Sequence, residues 1–225
     1  MSADTTKKPL PETDEAHVIP TEYQLWETYK YLILGTAAVL LIAATSYIGW
    51  WFYETTQANE ARFLLIEARK AEDSEKTDKL KAIISAYPTT SATAQSLLTL
   101  ASEAQDASDF ATAGEYYQTF IDGFPEHPAF AAAEYAYAQC LENQGNEDAA
   151  QDLYMRMLNR EPVHAFFTAA SIRAAAIANK KGDVSTARQL LTEALAMENN
   201  PFTSEAQKLL STIPAPAKLS DEETE

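Results

Sequence analysis

"FIDGFPEHPAFA", residues 120–131, is a phrase this chain repeats. An apolar pair, one or two polar residues, an aromatic, a proline and a short gap into alanine return in "IISAYPTTSATA" (83–94), with a further echo in "MLNREPVHAFFT" (157–168). Pro88, Pro125 and Pro162 stand 37 residues apart, and one more step lands at Asn199 in "AMENNPFTSEA". Self-similarity at a fixed interval of about 20 to 50 residues is the signature of a solenoid, in which each repeat buries its apolar face only against its neighbours. With the prolines in register, the repeats start at Gln57, Ala94, Ala131 and Thr168. Each is expected to be a pair of helices. In the third, helix A runs from Ala131 to about Asn143, "QGNED" turns at Gly145, and helix B runs from Ala149 to Asn159. Glu161-Pro162 ends it, because a residue before proline resists the right-handed helical region.

Composition agrees with an all-α chain. Six glycines in 225 residues, abundant alanine and few β-branched runs favour helix. A hydrophobic content of 46% supports one substantial core with accessories. The net charge of −16 argues against nucleic acid, since phosphate binding requires clustered Lys and Arg. Cys140 is the lone cysteine, so no internal disulfide forms, and the redox compartment stays open.

"YLILGTAAVLLIAATSYIGWWFY", residues 31–53, carries no charge and is long enough to cross a hydrocarbon core of about 30 Å. Trp26, Tyr29 and Tyr31 mark one end, and Tyr47, Trp50, Trp51 and Tyr53 the other, where amphipathic rings favour membrane–water interfaces. A buried core helix seldom stays uncharged for this length. A cleaved signal peptide would be shorter and would not follow 30 polar residues. The segment therefore reads as an uncleaved anchor. Lys30 on one side against Arg62, Arg69 and Lys70 on the other places the repeats inside by charge count, although long acidic domains translocate largely regardless of flanking charge.

Residues 1–20, with Pro9, Pro11, Pro20 and little apolar content, are expected to be a disordered tail, and residues 214–225 an acidic one. "TEYQ" at 21–24 has the form of a capping box. From there one helix is expected to run without proline to about Ala71, so that residues 21–56 form the interfacial and membrane helix and residues 57–213 the repeat domain.

The repeats themselves carry a family resemblance. Tyr137-Ala138 and Leu141, Gly145, Ala150 and Tyr154, then Pro162 resemble a tetratricopeptide repeat. The second repeat matches through Leu97, Leu100-Ala101, Ala104, Ala113, Tyr117 and Pro125, and the fourth through Ala174-Ala175, Ala178, Gly182-Asp183, Ala187, Leu191 and Ala194. The resemblance implies close helix crossings at Ala101, Ala138 and Ala175 and at Ala113, Ala150 and Ala187. The first repeat departs, with Leu64 at the small position and Lys76 where Ala is expected, which leaves its helix pair open. The interval exceeds the usual 34 by three residues, which fall in loops such as "EHP". The order of parts, with a short acidic tail, one span ending in "GWWFY" and a repeat domain of this size, resembles the bacterial ancillary subunit family of the Sec translocon. That resemblance implies a single-pass inner-membrane protein with a cytoplasmic N-terminus and periplasmic repeats, associated with chaperone traffic.

Signatures of chemistry are absent: no HExxH, phosphate-binding glycine loop, CxxC or nucleophile elbow occurs. His17, His127 and His164 fall in the tail or in loops, Cys140 reads as a small buried thiol, and Tyr116, Tyr117, Phe120, Leu153 and Tyr154 read as core. No enzymatic activity, cofactor, metal or small-molecule substrate is expected. In the tetratricopeptide family the concave groove is lined by recurring helix A positions. These correspond here to Leu98, Ser102, Gln105 and Asp106, to Tyr135, Gln139, Glu142 and Asn143, and to Ile172, Ala176 and Asn179. Such surfaces take segments of other proteins. From Ala82 to Met155 there are eleven acids and no Lys or Arg. That run is either a solvated surface or a field selecting basic partner segments. The expected function is a membrane-anchored interaction module, a scaffold or chaperone-like partner at a membrane complex; the alternative is an accessory subunit that binds no client.

Overall fold

The computed structural model describes residues 22–160, 165–198 and 200–214, with side chains from Tyr29 onward, Asp73 apart. The expected tails, the capping residue Thr21, and Pro162 and His164 lie outside the described residues. Among these residues the chain is all-helical: α1 (Glu22–Ala68), α2 (Asp73–Ala86), α3 (Ser91–Asp106), α4 (Phe110–Gly123), α5 (Phe130–Asn143), α6 (Glu147–Leu158), α7 (Phe167–Lys180), α8 (Val184–Ala196) and α9 (Thr203–Thr212). They fall into two bodies, one ending at Glu54 and one beginning at Thr55.

In the first body every residue from Tyr31 to Glu54 is exposed. Its helix is long and apolar enough to cross a membrane. Two of its hydroxyls bond within the helix: Thr36 Oγ1 donates to the Ile33 carbonyl and Thr45 Oγ1 to that of Leu41, each at 2.9 Å. An apolar medium requires such internal satisfaction.

In the second body the 37-residue interval has a local cause. Tyr87 and Phe124 end α2 and α4 with nearly the same backbone angles (φ −132°, ψ 55° and φ −135°, ψ 57°), and Pro88 and Pro125 follow them. At the turns inside the pairs, Asp109 accepts from the Thr112 N–H (3.2 Å) and Asp183 from the Thr186 N–H (3.0 Å). Each carboxylate caps a helix start, and the hydrogen bonds from Thr112 and Thr186 hold it below the usual carboxylate range. Helix B of the third pair begins at Glu147, two residues before the expected Ala149.

The six alanines expected at helix crossings, Ala101, Ala138, Ala175, Ala113, Ala150 and Ala187, are all fully buried. Around them lie Leu97, Tyr117 and Phe120, then Leu153, Tyr154 and Met157, then Ile177, Leu190 and Leu191. The first helix pair exists, made from the end of α1 and α2. Its register differs from expectation: Ala61, Leu65 and Ala68 enter the core with Leu80 and Ile83, and Leu64 is half-buried. The turn between α1 and α2 has four residues (69–72) where the later pairs have three, so the later register does not carry over. Past the fourth pair, α9 packs on α8 and touches α7, as a first helix of a further repeat would.

Candidate partner-binding groove

In the second and third pairs helix A presents one polar position tied to helix B. In the second pair the Tyr117 hydroxyl donates to Gln105 Oε1 (3.0 Å), and in the third the Tyr154 hydroxyl donates to Glu142 Oε2 (3.3 Å), 37 residues on in both partners. Burial pushes the Tyr117 phenol up to about 12 and raises that of Tyr154 further, with the Glu142 carboxylate adding to it. Glu142 also receives Arg173 of α7, whose Nε donates to Oε2 at 3.1 Å and whose Nη2 bonds Oε1. The ring of Tyr135 stands 5.8 Å from that of Tyr154 and stacks on Phe166 at 5.4 Å. A polar network wrapped in three aromatic rings thus joins α5, α6 and α7.

Among the other expected groove residues, Ser102, Asp106 and Asn143 are exposed, and Leu98, Gln139, Ala176 and Asn179 are half-buried. Ile172 is buried, and with Ala176 it lines a hollow of about 250 Å³ between α7 and α9, rimmed by Arg173, Glu205 and Lys208. The structure therefore joins Tyr135 with Glu142 through Tyr154, and Ile172 with Ala176 at α9. Between Leu98, Ser102 and Asp106 there is no such junction. Arg173, Phe166 and the rim of α9 were not among the expected residues, because the lining rule counts only recurring helix A positions.

The cation-free acidic run is partly neutralised from outside itself. Glu103 pairs with Lys76, Glu134 with Arg160, Glu142 with Arg173, Glu147 with Lys180 and Asp148 with Lys181. The Glu134–Arg160 pair closes the third repeat on itself, and each of the others ties one repeat to the next. Among the described residues Asp106, Asp109, Glu115, Asp122, Glu126 and Asp152 are left without an ion pair, and of these only Asp106 lies on the expected lining. The groove is thus less negative than composition implies, and Glu142 is not a free acid.

A family model described as a tetratricopeptide repeat-like domain matches residues 24–210. The chain belongs to the tetratricopeptide repeat-like family. No curated protein matches it. As a tetratricopeptide-like chain it is a protein–protein interaction module, and the remaining chemistry-bearing side chains have structural places. His127 Nδ1 accepts from the Ala129 N–H at 3.1 Å, and its ring meets Phe120 edge-on at 5.2 Å. Cys140 is fully buried, which pushes its thiol up to about 11. Among the described residues no cluster of His, Cys, Asp and Glu could hold a metal ion.

Proposed function

We propose that this protein is a membrane-anchored scaffold or chaperone-like partner at a membrane complex, with the helix A face receiving a segment of another protein. One surface carries the reading: amide and aromatic side chains, Gln105, Gln139, Asn143, Asn179 and Tyr135, at recurring helix A positions, beside the hollow against α9. Amides both donate and accept, so they satisfy a bound backbone whatever its sequence, while an aromatic ring and an apolar hollow hold occasional side chains. A surface meant only for permanent assembly would be more apolar.

The anchor is the charge-free helix from Tyr31 to Tyr53. With the resemblance to the ancillary translocon subunits, it supports a bacterial inner-membrane protein whose N-terminus is cytoplasmic and whose repeats are periplasmic. Protease added to spheroplasts is expected to remove the repeats, and digestion only in inverted vesicles would reverse the orientation. The groove is tested by Ser102→Lys with Asn143→Lys, both exposed positions, in affinity purification from mild detergent. Loss of co-purifying chains with an unchanged circular dichroism spectrum is the expected result. Unchanged partners would favour the accessory subunit that binds no client.

A further inference from the structure

The end of α1 carries two faces, and the repeat core uses one of them. Ala61, Leu65 and Ala68 are buried with α2 and α3. On the other side Phe63 is 63% exposed and Ile66 52%, and Thr56 and Asn59 are exposed on the same stripe. Solenoids need end repeats with a polar outer face to stay soluble. At the opposite end α9 provides one, with Ser204, Gln207 and Ser211 exposed. The α1 end has an aromatic and an aliphatic side chain in that place.

Thr56, Asn59, Phe63 and Ile66 are separated by three, four and three residues, the spacing of the a and d seam of a coiled coil. With Thr56 and Phe63 at a and Asn59 and Ile66 at d, Ala61 and Ala68 fall at f and Leu65 at c. The chain's own core therefore takes the back of the helix and leaves the seam outward. Arg62 flanks the seam at g, and Glu60 and Glu67 at e. Glu60 accepts from the Tyr87 hydroxyl at 3.2 Å. Arg62 and Glu67 are exposed and make no ion pair among the described residues. In two parallel copies, residue g of one helix faces residue e five positions on in the other, so Arg62 meets Glu67 twice. Antiparallel copies would set like charges against each other. Counting the same heptad toward the N-terminus places Gly35, Ile42 and Gly49 at a and Ala38, Thr45 and Phe52 at d. Four of these six, Gly35, Ala38, Thr45 and Gly49, are small and permit close approach of helices in an apolar medium.

We propose that α1 pairs in parallel with the α1 of a second copy of this chain along the Thr56, Asn59, Phe63 and Ile66 stripe, closed on both sides by Arg62–Glu67 ion pairs. The charge pattern selects this occupant, because one copy supplies the complement of the other. Asn59, the amide within the seam, fixes the register. A hollow of about 420 Å³ beside Phe63, bounded by Asn59, Leu64 and Tyr87, leaves room for the opposing ring.

The test uses the full-length chain in mild detergent, oxidised with copper phenanthroline. Phe63→Cys and Ile66→Cys are expected to give a species of twice the chain mass, whereas the parent, whose Cys140 is buried, and Ser204→Cys on α9 are expected to give none. Arg62→Glu should lower cross-linking of the Ile66→Cys chain by about fivefold or more at low salt, and adding Glu67→Arg should restore it. All substituted positions are exposed, and circular dichroism checks that the fold persists. A single-chain mass without cross-linking, a product with a chain of another mass, equal cross-linking through Ser204→Cys, or indifference to the charge reversal would each overturn the proposal.

Discussion

Ser108, Gly145 and Gly182 occupy the same place in successive turns, 37 residues apart, and all three have positive φ, at 60°, 81° and 83°. The turn between helices A and B demands the left-handed region, and only the serine bears a side chain there. For an L-residue that region costs roughly 1 to 2 kcal/mol, while glycine adds about 0.5 to 1 kcal/mol of unfolded-state entropy to be lost. The first effect is the larger. Ser108→Gly is therefore expected to stabilise the repeats by about 0.5 kcal/mol or more, and Gly145→Ala to destabilise them by about 1 kcal/mol, both read from thermal unfolding by circular dichroism. A drop in midpoint for Ser108→Gly would mean that the hydroxyl, not the backbone, decides this turn.

At the scale of helices, the ion pairs within and between repeats differ in what they contribute. Glu134 on α5 has a side chain 6% exposed and is held by two bonds from Arg160, one of them 2.8 Å, while that guanidinium lies 4.9 Å from the Phe130 ring. Removing the cation strands a buried carboxylate, so Arg160→Ala is expected to cost about 2 to 4 kcal/mol. Lys181 pairs with Asp148, whose side chain is 89% exposed, and Lys181→Ala is expected to cost less than about 0.5 kcal/mol. Chemical denaturation of both variants checks the contrast, and equal costs would refute it. The helices were legible in the sequence because proline, the turn glycines and the crossing alanines are each needed for a local backbone or steric reason. The ion pairs were not. Their partners stand 26 to 33 residues apart, and the composition of the acidic stretch shows only that no cation is nearby in sequence. In the candidate groove the recurring positions were readable, but Arg173 and Phe166 reach it from places that do not recur.

From α2 to α9 each helix packs chiefly on its chain neighbours, so stability is expected to be a sum of local terms rather than a property of one common core. The C-terminal end shows what such a chain must supply. There α9 buries Ala206 and Ile213 on the fourth pair, and Arg188 Nη1 holds the following backbone by donating to the carbonyls of Ile213 at 3.1 Å and Pro214 at 3.3 Å. Removing α9 by ending the chain after Met197 would bare Leu190, Leu191 and Ile172 and forfeit the burial of Ile213 with part of Leu209 and Leu210. At about 1.5 to 3 kcal/mol for a fully buried aliphatic side chain, the loss is expected to reach about 3 kcal/mol or more. If the terms are local, the loss stays local. Hydrogen exchange in the truncated chain is expected to accelerate in α7 and α8 and to remain at parental rates in α3 and α4, whose core is formed by Leu97, Ala113, Tyr117 and Phe120. Uniform acceleration from α3 to α8 would instead show that the inter-repeat ion pairs and aromatic contacts couple the pairs into one cooperative body, and that α9 closes the whole domain rather than its last repeat.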